Sequence, residues 1–164
     1  MEVPRASLLH PPEDPDELDH WFMAHALHEA VEAYERGEVP VGAIIVHKEQ
    51  ILTRAGNRCE ELKDPTAHAE ILVITQACEA LGDARLPTCE LYVTLEPCFM
   101  CAGALVHARI GRVVFGTRDP KFGACGSLAD LPADTRLNHR YPVREGVYAE
   151  ESSKLLKEFF RSRR

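Results

Sequence analysis

The sequence predicts an α/β fold, a three-layer α/β/α sandwich built on a mixed five-stranded sheet. Three observations lead there. Stretches with apolar residues at helical spacing alternate with short, β-branched apolar runs. The first two such runs are separated by a tight turn, so they pair antiparallel. The later runs are separated by helices, which makes them parallel and covers the sheet on both faces. No internal repeat or second boundary interrupts 164 residues, a natural length for one domain.

Each element follows in order. Residues 1–15 are rich in proline and acid and read as a disordered lead, leaving 16–164 as the folded domain. A helix is expected from Asp16 to Arg36, with Leu18, Trp21, Phe22, Leu27, Ala30, Val31 and Tyr34 at helical spacing and Gly37 as its stop. That stripe is core. Val39–Val46 and Gln50–Gly56 form a strand pair around the turn His47-Lys48-Glu49. Asp64-Pro65-Thr66 reads as the start of a second helix that runs through Ile71, Leu72, Val73 and Ile74 and ends near Gly82. Leu91–Leu95 is an apolar strand leading directly into a helix after Pro97, a residue tolerated at a helix entrance because it has no N–H to orphan. Arg112–Gly116 is a further strand. Thr117–Tyr141 is a long loop, a length that usually carries function. A short strand over Val143–Val147 and a helix over Ala149–Arg161 complete the chain.

Composition narrows the function classes. No apolar run approaches a membrane span, and the first residues lack a cationic-then-apolar signal pattern. Six cysteines in that context suit reduced thiols in a cytoplasm. The formal charge of −7 is unevenly spread: residues 1–19 hold six of the 26 acids (Glu2, Glu13, Asp14, Asp16, Glu17, Asp19) and one base, Arg5. The remainder is within two charges of neutral, and its end is basic, with Lys154, Lys157, Arg161, Arg163 and Arg164 against Glu158. Such a charge balance permits a nucleic-acid partner without requiring one. Lys121, Arg140 and the Arg161, Arg163, Arg164 tail are the candidate phosphate contacts.

Two fragments carry the chemistry. His68-Ala69-Glu70 offers an imidazole with a carboxylate two residues on, and in a first helical turn both can converge near the helix end. Pro97-Cys98-Phe99-Met100-Cys101 places two thiols three apart on one face of a helix start. The positive end of that helix favours thiolates, and zinc favours them further. Three ligands, His68, Cys98 and Cys101, leave a fourth position open for water, as in a catalytic zinc site, and Glu70 remains as an acid/base. A redox Cys-x-x-Cys needs no His-x-Glu upstream, and a closed structural site would need a fourth ligand. Cys59, Cys78, Cys89 and Cys125 are scattered instead, as small buried hydrophobes are. Phe99, beside a ligand, reads equally as core or as a wall against which a base could stack.

This His-x-Glu and Pro-Cys-x-x-Cys pair is an established signature of zinc-dependent nucleobase deaminases. The segments Pro65–Ile71, Tyr92–Ala104 and Arg109–Gly116, with Glu38–Ala43, Gly56-Asn57-Arg58, Gly123–Leu128, Asn138-His139-Arg140 and the Phe159–Arg164 ending, closely resemble bacterial tRNA-specific adenosine deaminases. The likeness spans nearly everything beyond the first fifteen residues. It implies a cytidine-deaminase-like fold, a homodimer, and one Zn²⁺ per subunit held by His68, Cys98 and Cys101. It implies conversion of wobble-position adenosine in a tRNA anticodon stem-loop, in bacteria typically an arginine tRNA, to inosine. In that reaction zinc-activated hydroxide attacks C6 of a splayed-out base, Glu70 shuttles protons and ammonia leaves. Asn57 is matched to the residue that hydrogen-bonds the base, and Asp119 with Lys121 to the loop that meets the anticodon backbone. One departure is Pro120 and Phe122, where relatives carry small or polar residues. The nearest rival is a free-base or nucleotide deaminase using the same zinc machinery; retention of Glu70 argues against a non-catalytic zinc module.

Overall fold

The computed structural model describes residues 2–5 and 10–164. Part of the expected acidic lead, residues 1 and 6–9, lies outside the described residues. Asp14 starts the first helix, α1 (Pro15–Glu35), by accepting hydrogen bonds from Asp16 N and Glu17 N, both at 3.0 Å. Those two amides would otherwise be orphaned, and Pro15 has none to orphan.

Strands β1 (Gly42–His47) and β2 (Gln50–Gly56) pair antiparallel around Lys48 and Glu49, whose φ values of 50° and 61° suit a turn that follows the twist of a hairpin. Then follow α2 (Cys59–Leu62), α3 (Ala69–Leu81), β3 (Cys89–Leu95), α4 (Phe99–His107), β4 (Arg112–Thr117), β5 (Val143–Arg144) and α5 (Ala149–Arg161). The sheet order is β2-β1-β3-β4-β5; β1 is antiparallel to β3, and β3, β4 and β5 run parallel. Helices α1 and α5 cover one face, with Phe22, Met23, Ile44, Tyr92 and Val114 in the layer between. Helices α3 and α4 cover the other, over Ile45, Leu91, Val93, Val113 and Phe115. The three-layer mixed sheet expected from the sequence is therefore present.

Several boundaries differ for local reasons. β1 begins at Gly42 rather than Val39 because Val41 N turns back to Val39 O at 2.8 Å. Asp64 does not start α3: its carboxylate accepts from Thr66 N at 2.8 Å and Thr66 Oγ1 at 2.7 Å, closing a turn between α2 and α3. The last strand keeps only two residues: Gly146 N still reaches β4 at Gly116 O, but Gly146 (φ 86°) and Tyr148 (φ 53°) have left the extended region.

Two features hold α1 to the sheet. Ala26, Ala30 and Ala33 are fully buried against Gly42 and Gly56; a Cβ at Gly56 would stand 2.7 Å from Glu29 O, and one at Gly42 would overlap the α1 backbone at Ala26 and Ala30. Near the other end, Asp19 is 3% exposed and accepts from Tyr92 Oη (2.7 Å), from Arg112 through two nitrogens (2.9 and 2.7 Å) and from Arg144 (2.7 Å). One carboxylate thus joins α1 to β3, β4 and β5.

Candidate metal centre

His68 is the residue immediately before α3 and Cys98 the residue immediately before α4, while Cys101 sits in the first turn of α4. Both helices aim their positive ends at one point beyond the C-terminal end of β3, the position where open α/β sheets bind ligands. His68 Nδ1 lies 3.7 Å from Cys98 Sγ and 3.6 Å from Cys101 Sγ, and the three donor atoms fall within 4.8 Å of one another. A tetrahedral zinc ion, with Zn–N of about 2.0–2.1 Å and Zn–S of about 2.3 Å, would hold N and S ligands about 3.6 Å apart. The donor set and its spacing therefore fit zinc, with three protein ligands where a tetrahedral ion takes four.

Electrostatics in the cluster agree. Hydrogen bonds from the Cys101 thiol and the His68 imidazole pull Cys98 down to about 4, and the same thiol pair pushes Cys101 up. The pair thus favours Cys98 as its thiolate, and a bound dication would favour the charged form of both. The hydrogen bond to Cys98 raises His68. Glu70, in the first turn of α3, is 4% exposed, and burial pushes its carboxyl up from the ordinary carboxylate range. It meets the Cys101 side chain, so the cluster and its acid/base lie together.

Asn57, 7% exposed, follows β2 and accepts a hydrogen bond from Ala69 N through Oδ1 at 2.8 Å. It supplies the cap that His68 lacks. Phe99 is 48% exposed on α4, next to Cys98, and so is not core. Asp119 accepts from Lys121 N (3.0 Å) and Phe122 N (3.3 Å), which closes the loop's own turn and leaves the Lys121 side chain exposed. The loop reaches the cluster through the antiparallel bridge Cys98–Gly123. Arg140 stands apart: its neighbours bond to Arg109 (Asn138 O, 3.0 Å) and Ile110 (His139 Nε2, 2.8 Å), at the end of the sheet opposite the ligands. Arg163 stacks over Phe159 at 4.3 Å and donates to Gly37 O, which fastens the end of α5 to the end of α1. Lys154, Lys157 and Arg161 instead line a groove of about 520 Å³ along α5 that begins at Thr117. Among the described residues, the group of His, Cys and acidic side chains close enough to hold a metal is His68, Cys98 and Cys101, away from that groove.

Sequence spacing passes over Glu96. This carboxylate, 2% exposed, accepts from Asp119 N, Cys125 N and Ser127 N and from the Ser127 hydroxyl. No local pattern marks it, because its partners lie 23 to 31 residues further on.

Sheet, helix-end cluster and buried carboxylate together define a protein of the deaminase class, and the MafB19-like deaminase family model matches residues 17–164. A tRNA-specific adenosine deaminase of Aquifex aeolicus is 50% identical over 149 residues, covering 88% of this chain and 95% of its own. One of Bacillus subtilis is 49% identical over 146 residues, covering 89% and 91%. A solved structure described for A-to-I editing by tRNA:A34 deaminases at the wobble position superposes with a TM-score of 0.80 at 50% identity, over 82% of this chain and 98% of that one. The chain belongs to the tRNA-specific adenosine deaminase family.

Proposed function

We propose that this protein deaminates the wobble-position adenosine of a tRNA anticodon to inosine, releasing ammonia. The observation that carries the chemistry is Glu70: a buried carboxylate, raised by burial, stands beside a three-ligand cluster that has no need of it to hold metal. The 50% identity to tRNA-specific enzymes supports the substrate.

His68, Cys98 and Cys101 would hold one zinc ion per chain. When bound, zinc supplies the Lewis acidity that makes water a nucleophile at neutral pH. Glu70 would take one proton from the attacking water and deliver it to the purine ring nitrogen. It would then take the second from the hydroxyl added at C6 and pass it to the amine, which leaves as ammonia as the C–N bond breaks. A carboxyl raised by burial suits this shuttling. The Asn57 amide donor supports a hydrogen bond to the base, with its carbonyl oxygen already fixed by Ala69 N. An anticodon base is single-stranded and cheap to splay out, and Phe99 offers it an exposed ring.

The finer reading is a homodimer in the cytoplasm acting on an arginine tRNA, with residues 16–164 as the catalytic domain behind an acidic lead. Phe99, Met100, Phe122 and Leu128 are exposed and gather where Gly123 bridges Cys98 and accepts from Leu128 N. Unstacked bases and a second copy would cover such a rim. No helix among the described residues is long and apolar enough to cross a membrane.

The test is deamination of an arginine-tRNA anticodon stem-loop beside free adenosine, read as A changed to G on sequencing. The stem-loop should be far the better substrate, because remote contacts position the reacting base. Neutralising Lys121, Lys154, Lys157 and Arg161 together should weaken binding and flatten its salt dependence while leaving zinc content unchanged. Efficient, salt-insensitive turnover of free adenosine, guanine or cytidine would overturn the reading.

A further inference from the structure

We propose that Glu96 is a positioning residue for the substrate loop, a clasp that sets residues 119–128 against the start of α4. Glu96 ends the run from β3 and precedes Pro97, so its backbone belongs to the sheet end that carries Cys98. Its own amide donates to Thr117 O at 2.9 Å, pinning the end of β4. Its carboxylate then gathers the loop that follows. Oε1 accepts from Asp119 N at 3.1 Å and from the Ser127 hydroxyl; Oε2 accepts from Cys125 N at 3.0 Å and Ser127 N at 3.1 Å. Four donors around one buried carboxylate, with no cation among them, form an anion nest made from the loop itself. Backbone contacts also tie the loop to the start of α4: Ala124 N to Pro97 O at 2.9 Å, and the Cys98–Gly123 bridge.

Geometry at Gly123 shows how closely the parts fit. A Cβ there would overlap the Glu96 carboxylate and approach Asp119 O, so the carboxylate occupies the space a side chain would need. Lys121 and Phe122 are exposed on this loop, and Asp119, whose carboxylate closes their turn, is held by Glu96 at its own amide. Removing the clasp frees the segment that presents Lys121 and Phe122 while leaving His68, Glu70, Cys98 and Cys101 on their helices. This inference rests on the reading of that loop as an RNA contact.

The experiment compares the zinc-loaded wild type with Glu96→Gln, Ser127→Ala and Ser127→Thr on an anticodon stem-loop, with zinc content and amide hydrogen exchange measured in parallel. Glutamine offers one acceptor oxygen where glutamate offers two, so at least two donors lose their partner. Expected for Glu96→Gln is a KM raised about tenfold or more with kcat changed less, because the loop positions the nucleic acid and not the reacting atoms. Zinc stays at the wild-type level, and exchange quickens at the amides of Asp119, Cys125 and Ser127 but not along α3. Ser127→Ala raises KM in the same direction by a smaller factor, and Ser127→Thr, which keeps the hydroxyl, restores it. Should Glu96→Gln fail to fold, the serine pair alone decides. Unchanged KM in Glu96→Gln or Ser127→Ala overturns the proposal, as does loss of zinc from folded Glu96→Gln. A wild type inactive on the stem-loop would instead overturn the tRNA reading.

Discussion

Replacing Asp19 by asparagine tests the buried ion cluster with almost no change in shape. Burial alone would raise this carboxyl, but hydrogen bonds from Arg112, Tyr92 and Arg144 hold it at about 2, against an ordinary value of 3.8. Linkage turns that depression into ~2 kcal/mol of stability at neutral pH. An independent route gives a similar figure. Removing one partner of a fully buried ion pair costs roughly 3–5 kcal/mol. Here the Arg112 and Arg144 side chains are 30% and 34% exposed, so water screens what is left and the cost falls towards ~2–3 kcal/mol. For a chain of this size, ~2 kcal/mol lowers Tm by about 4–8 °C. The sign with pH is fixed: a depressed carboxyl stabilises above its unfolded value, and that stability is lost as pH falls through its folded value. Urea unfolding of wild type and Asp19→Asn, at matched protein and zinc concentration, should give a difference that is constant from about pH 7 to pH 5 and shrinks below about pH 4. A difference under ~0.5 kcal/mol at neutral pH, or one that does not shrink in acid, would refute the account of Asp19 as the anchor.

Three further outcomes are expected. Cys98→Ala or Cys101→Ala should each lose zinc, measured by metal analysis after dialysis, since two ligands hold the ion poorly; full occupancy in either would refute the ligand set. Glu70→Gln should keep zinc and fold but lose turnover by roughly 10²–10⁴-fold in single-turnover assays, and near-normal rates would make that carboxylate structural. Gly42→Ala should cost more than ~2 kcal/mol in thermal melts, because its Cβ would meet α1 backbone, which cannot rotate aside.

What could be read from the sequence divides along physical lines. α5 was expected and is found at Ala149–Arg161, because its apolar stripe at Leu155 and Phe159 is a local pattern. The strand pair β1–β2 is legible for the same reason. His68, Cys98 and Cys101 were legible because ligand spacing within each fragment is local, although their meeting depends on two helices 30 residues apart. In the sequence Asp19 is one more of the six acids in residues 1–19; its partners Tyr92, Arg112 and Arg144 lie 73, 93 and 125 residues away, and no window covers them. Glu96 escaped for that reason too. Asn57 was reached only through family resemblance, and its bond to Ala69 N shows a second duty, capping α3, that the resemblance did not include.

The seam between α1 and the sheet has a consequence for how this sequence can change over generations. Gly42 and Gly56 face Ala26, Ala30 and Ala33 with backbone in direct contact, so neither side can enlarge and let the other shrink in exchange. Most core positions drift by paired substitutions of compensating volume. Here there is no volume to trade, and drift along α1 is confined to outward positions such as His28, Glu32 and Glu35. A saturation library of this chain should therefore find two of its least tolerant sites at glycines that lie against α1, outside the His68, Cys98 and Cys101 cluster.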